Sequence, residues 1–261
     1  MVVDGWLAAG YTYIIMDDCW MAPTRWLAVT FRNFLTLCRD ADGRLAADPV
    51  RFPSGVAALA TYVHGLGLRL GIYGDLGSTT CAGYPGSQGH LAMDAHTFAD
   101  WGVDWVKLDG CYSDFAAMDA GYAEFGAAVL ATGRPMVYQC EGPLYQANHG
   151  ITPNYTAARE TCNLWRNHRD VQDSWPSVLD IADFYGDNSG DFLRLSGPGG
   201  WNDPDMLVIG DFGLTYDQSQ VKVNQVIYTT KQRNGGTCGN PVFAPNPRPS
   251  WPCGQYSRRR C

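Results

Sequence analysis

Lys107 and Asp109 stand two residues apart in Trp105-Val106-Lys107-Leu108-Asp109, so on a strand their side chains share a face. An ammonium beside a carboxylate favours the ionised form, which a carboxylate nucleophile needs, although a structural ion pair at a strand end has the same spacing. Arg166 and Asp170 are four apart, which on a helix would stack them one turn apart as an ordinary surface pair. Asp17 and Asp18 are adjacent, point to opposite faces within a strand, and can serve one ligand only at its end. Asn202-Asp203-Pro204-Asp205 adds two carboxylates around a proline, read as a turn with a structural role. The five histidines (His64, His90, His96, His149, His168) form neither HExxH nor HxH, so no metal site is expected, and no GxSxG nucleophile elbow occurs.

These residues cluster where short apolar runs end. Tyr11 to Met16 runs into Asp17-Asp18, Leu68 to Tyr73 into Gly74-Asp75, Trp105 to Leu108 into Asp109, and Met136 to Cys140 into Glu141. Helix-like stretches lie between them or beyond, at 56–66, 92–101, 117–131 and 174–185. Alternating strands and helices imply parallel strands with crossover helices, in a barrel or an open doubly wound sheet. An open sheet usually places a phosphate-binding glycine turn after its first strand. The only dense glycine cluster, Gly197-Pro198-Gly199-Gly200, lacks the P-loop lysine and reads as a tight loop. The α/β class with a (β/α)8 barrel is therefore favoured, its chemistry gathered at the strands' C-terminal ends.

With 261 residues, 46% of them hydrophobic, the chain can bury a full core. Nineteen basic against 26 acidic residues, a net charge of −7, argue against a nucleic-acid partner, and the basic run Arg258-Arg259-Arg260 sits in the tail. Its nine tryptophans and fourteen tyrosines suit a carbohydrate site, where sugar faces stack on rings. Nine cysteines with no CxxC pair point to disulfides in an oxidising compartment and leave at least one thiol unpaired. Asn154-Tyr155-Thr156 is a glycosylation sequon for such a compartment. Met1 to Gly5 does not read as a signal peptide, and no apolar run approaches the ~20 residues of a membrane span.

Together, Gly10 to Tyr13 through Asp17-Asp18-Cys19-Trp20-Met21, Asp42 to Leu45, Arg51 to Pro53, Leu70 to Tyr73, Thr80 to Gly86, Val106 to Tyr112, Asn163 to Asn167 and Gly197 to Gly213 closely resemble glycoside hydrolase family 27. This family comprises the α-galactosidases and α-N-acetylgalactosaminidases. The resemblance runs almost continuously from Asp4 to about Gln220, broken by an atypical insertion at 26–39. It implies a catalytic (β/α)8 barrel over 1–225, in which six of eight strands are recognisable. The family's first and last strands and its C-terminal antiparallel β domain have no counterpart, and 226–261 reads as a disordered tail outside the family.

The resemblance also implies roles. Asp109 matches the nucleophile and Asp170 the acid/base; Asp17, Asp18, Tyr73, Lys107, Glu141, Leu144, Tyr145 and Arg166 match sugar-binding positions. Disulfides are implied for Cys81 with Cys111 and Cys140 with Cys162. The implied reaction removes terminal α-linked galactose from glycolipids, glycoproteins or oligosaccharides by double displacement. It needs no cofactor, and the two carboxyls are expected ~5–5.5 Å apart. An α-N-acetylgalactosaminidase is the alternative within the class, and a catalytically inactive truncated product, sugar-binding or misfolded, the alternative outside it. In the family, Glu and Leu at the positions of Glu141 and Leu144 mark α-galactosidases, whereas Ser and Ala mark the other activity. Gly142 replaces the usual Trp. A lysosomal or secreted location and a homodimer are further implications.

Overall fold

The computed structural model describes residues 1–22, 39–208 and 211–219. Most of the insertion expected at 26–39 and the whole of the 226–261 tail lie outside them. Within them, six strands alternate with seven helices: β1 Tyr13–Met16, α1 Gly55–Gly65, β2 Arg69–Asp75, α2 Leu91–Asp100, β3 Trp105–Asp109, α3 Met118–Ala131, β4 Val137–Cys140, α4 Gly142–Asn148, α5 Tyr155–Thr161, β5 Leu164–Arg166, α6 Trp175–Asp187, α7 Ser189–Leu195 and β6 Trp201–Asp203.

All neighbouring strands are parallel and their spatial order, β1 to β6, is the sequence order. A doubly wound sheet must reverse direction at a switch point, as this one does not. Every step from strand to strand goes the same way round, as in the (β/α)8 barrel the sequence favoured, and all strand C-termini therefore face one end. Burial on both sides explains why the strands read as apolar runs: β2 is buried from Leu70 to Asp75. The main core packs Leu70, Ile72, Val106, Leu108 and Tyr138 of the sheet against Val56, Ala60, Phe98 and Phe125 of α1, α2 and α3. A smaller cluster joins Ile181 and Tyr185 of α6 to Phe192 of α7.

The glycine-rich segment is a tight turn. Gly197 and Gly200 exchange backbone hydrogen bonds of 3.0 and 2.9 Å, and Gly199 takes the left-handed φ of 90° that such a turn requires after proline. The spacing of Arg166 and Asp170 allowed a helix or a surface pair. The segment after β5 is not helical, so Arg166 and Asp170 are not stacked along a helix face. They meet because the chain turns back on itself beyond the strand.

Among the described residues, no helix is long and apolar enough to cross a membrane.

Candidate active site

The strand ends place acidic and aromatic side chains around one cleft of about 450 Å³. Asp17 and Asp18 follow β1, Tyr73 lies on β2, Lys107 and Asp109 on β3, and Glu141 directly after β4. Leu144 and Tyr145 come from α4, Arg166 ends β5, and Asp170 stands on the loop that follows it. All ten expected residues line the cleft. Asp17 and Asp18 both reach it because they stand just past the strand, where the alternation of faces no longer applies.

Asp109 is 7% exposed and surrounded by donors. Its Oδ1 accepts from the Gly110 N–H and the Tyr145 hydroxyl, both at 2.7 Å, and its Oδ2 from the Tyr73 hydroxyl at 3.0 Å. Burial, reinforced by the Asp109 charge, pushes both phenols well above their ordinary range, so they stay protonated as donors. This is not the partner that spacing picked out. Lys107 does share a face with Asp109, yet its Nζ pairs with Asp17 at 3.1 Å and Glu141 at 3.5 Å. Burial works against its charge, but Glu141, then Asp17 and Asp109, hold the amine above its usual value.

Behind Tyr73 lies Asp75, a buried carboxyl that sequence reading noted only as a strand end. It accepts from the N–H groups of Gly77 at 2.7 Å and Cys111 at 3.1 Å, and lies 3.3 Å from the Tyr73 hydroxyl, whose single proton goes to Asp109. Burial pushes it up to about 8, opposed by the Gly77 N–H and reinforced by Asp109. The loop it holds approaches closely: a Cβ on Gly77 would lie 2.0 Å from the Cys111 carbonyl oxygen, so only glycine fits there.

Two disulfides frame the cleft, Cys81–Cys111 and Cys140–Cys162, the pairs the resemblance implied. The first joins the loops after β2 and β3. The second ties the end of β4, next to Glu141, to the approach to β5 and Arg166. Cys19 is a free thiol, and Cys38, Cys238, Cys253 and Cys261 lie outside the described residues.

Arg166 is 2% exposed and shared among carboxylates. It reaches Asp170 at 2.8 Å, Asp205 at 3.2 Å and Glu141 at 3.7 Å. Burial opposes its charge, and Glu141, Asp205, Asp203 and Asp170 restore it. Glu141 is buried between Lys107 and Arg166. Burial raises its carboxyl well above the usual range, Asp109 adds to this, and the two cations pull against it. Its Oε1 makes no hydrogen bond and lies 3.5 Å from Lys107 Nζ and 3.7 Å from Arg166 Nη1, and the residue lines the cleft. Asp170, by contrast, has a side chain 72% exposed at the mouth.

Asp205 also lines the cleft, together with Asn148 and Arg169. Its sequence setting, beside a proline, had marked it as a turn residue. Asn154 is exposed, and its side-chain oxygen caps α5 by accepting from the Ala157 N–H at 3.1 Å.

The family model described as alpha galactosidase A matches residues 1–229. The chain is 52% identical to alpha-galactosidase A of Homo sapiens over 219 residues, covering 84% of the chain and 48% of that protein. It is likewise 52% identical to alpha-N-acetylgalactosaminidase of Gallus gallus over 218 residues, covering 83% of the chain and 50% of that protein. The chain thus spans about half the length of the curated relatives it matches. Among solved structures, alpha-galactosidase I of Mortierella vinacea superposes with a TM-score of 0.68 at 28% identity, covering 85% of this chain and 56% of that one.

Proposed function

The chain belongs to the family of α-galactosidase A, within glycoside hydrolase family 27, and on that premise we propose that it is a retaining exo-α-galactosidase with Asp109 as nucleophile and Asp170 as acid/base. The observation that carries this reading is the contrast between the two carboxyls. Asp109 is buried on a rigid strand end with three donors on its oxygens, whereas Asp170 is exposed at the mouth of the same cleft. A nucleophile must be fixed and charged, and an acid must meet the leaving group.

In the first step Asp109 attacks the anomeric carbon while Asp170 gives its proton to the departing oxygen, leaving a galactosyl ester on Asp109. In the second, Asp170 takes a proton from water, which attacks the same carbon and releases Asp109. Tyr73, Tyr145 and the Gly110 N–H hold the carboxylate before attack and after release. Asp17, Asp18 and Lys107 stand where sugar hydroxyls would be bound, and the Glu141 carboxylate, which lines the same cleft, suits a 2-hydroxyl donor. Glu141 and Leu144 favour galactose over N-acetylgalactosamine, because an acetamido group would collide with both.

The two disulfides support a lysosomal or secreted location, and the exposed sequon at Asn154 fits glycosylation there. A homodimer belongs to the same proposal. The test is NMR observation of the sugar first released from an aryl α-galactoside. Release as the α-anomer supports a retaining galactosidase, and release as the β-anomer, or no hydrolysis, refutes it.

A further inference from the structure

We propose that Asp205 is a positioning residue that sets the acid/base carboxyl of Asp170 in place, an inference that rests on the assignment of Asp170 above. Asp170 stands on an irregular loop with most of its side chain in solvent, so neither a helix nor core packing fixes it. Yet a proton donor must be held at hydrogen-bond distance, roughly 2.6–3.2 Å, from the leaving oxygen.

Asp205 grips that loop on both sides of Asp170. Its Oδ2 accepts from the peptide N–H of Val171, the next residue, at 2.7 Å. Its Oδ1 pairs at 3.2 Å with Nη1 of Arg166, while Nη2 of the same guanidinium reaches the His168 carbonyl at 3.1 Å and Asp170 Oδ1 at 2.8 Å. One carboxylate, one planar fork and one peptide N–H thus close a ring around the turn that presents Asp170. The Arg166 fork divides its two nitrogens between Asp205 and Asp170, which sets the direction from which Asp170 is held.

Asp205 is itself anchored. It adopts a left-handed φ of 71°, uncommon for any residue but glycine, and its N–H donates to Asp203 Oδ1 at 2.9 Å. Asp203 in turn accepts from Gln139 Nε2 on β4 at 2.6 Å. The loop carrying the acid is therefore tied through Asp205 to the sheet.

The test compares the wild-type chain with Asp205→Asn and Asp170→Asn on a series of aryl α-galactosides of graded leaving-group acidity. Asparagine tolerates the left-handed backbone but withdraws the charge that pairs with Arg166. If Asp205 positions the acid, kcat/KM of Asp205→Asn falls on the order of 10²-fold for the poorest leaving groups. For the best, which depart without a proton, it falls by no more than about threefold. A second variant, Asp205→Gly, keeps the backbone conformation and leaves space for added formate. Formate should restore the poor substrates by about tenfold or more and leave the good ones unchanged.

A uniform loss across the series in both variants, or loss of the fold in both, overturns the proposal by assigning Asp205 to general stability. If Asp170→Asn itself leaves the leaving-group dependence unchanged, or the wild-type chain hydrolyses no member of the series, the reading of Asp170 as the acid has failed. If Asp170→Asn steepens the series and the Asp205 variants do not, only this inference has failed.

Discussion

The Tyr145 hydroxyl donates to Asp109 Oδ1 at 2.7 Å, on the same oxygen that accepts from the Gly110 N–H. The ring is braced in turn by Phe115, which lies parallel to it at 5.8 Å and is stacked on His149 at 3.7 Å. A hydrogen bond to a charged group contributes ~1.5–3 kcal/mol. Tyr145→Phe should therefore lower kcat/KM by about 10- to 10²-fold, whereas Asp109→Asn should abolish turnover, a loss on the order of 10⁴-fold or more. Steady-state kinetics of the two variants checks both. An active Asp109→Asn variant would remove Asp109 from the role of nucleophile.

Asp170→Asn should slow turnover of substrates with poor leaving groups by ~10²–10⁴-fold. In kcat/KM it should spare activated aryl galactosides, which need little protonation to depart. Their kcat should still drop, because hydrolysis of the galactosyl ester also needs Asp170 as base. Equal defects in kcat/KM on activated and unactivated substrates would count against this role.

Glu141 and Leu144 are both buried and line the cleft, and in the proposed function they meet the sugar's 2-position. Replacing them by Ser and Ala should open room for an acetamido group and move kcat/KM towards N-acetylgalactosaminides by at least ~1–3 kcal/mol. Gly142 lies against Tyr122, where an added Cβ would stand 3.1 Å from the ring, so the usual tryptophan could not be restored there without moving Tyr122. Competition between aryl galactoside and aryl N-acetylgalactosaminide measures the shift. Equal rates with the unmodified chain would show that this loop does not select the sugar.

Asp75 makes stability depend on pH. An aspartate in an unfolded chain titrates near ~3.9, whereas burial moves this one up to about 8. Between these values the folded form keeps a proton that the unfolded form releases. The resulting stabilisation is full below ~4 and is lost as the pH climbs through 8. Buried Asp203 and Glu141 lean the same way. Urea unfolding at pH 5, 6, 7 and 8 should show stability falling with pH. Asp75→Asn should flatten that fall by ~1.4 kcal/mol per pH unit, the slope of one proton. An unchanged slope would mean that Asp75 is ionised in the fold.

The parallel sheet was legible because strands buried on both faces leave continuous apolar runs, as Leu68 to Tyr73 did for β2. The three-residue strands β5 and β6 carry no such run, and only the family resemblance marked Leu164–Arg166 and Trp201–Asp203. The short helices α4, α5 and α7 were not read at all, since 7 residues are too few for a helical period to show. Within the site, the residues that gather in one cleft were legible and their partnerships were not. Lys107 pairs with Asp17 and Glu141, far away in sequence, because the sheet places the ends of β1 and β4 beside it. Asp205 read as a turn residue because its partners, Arg166 and Val171, come from another strand end.

The identity of Asp109 as nucleophile can be read most directly by trapping. Incubation with a slowly hydrolysed fluorinated α-galactosyl fluoride, followed by proteolysis and mass spectrometry, locates the covalent sugar. One galactosyl group should appear per chain, on the peptide containing Asp109, and Asp109→Asn should take up none. A label on Asp170 or on any other residue, or normal turnover of the reagent with no covalent adduct, would contradict the assignment.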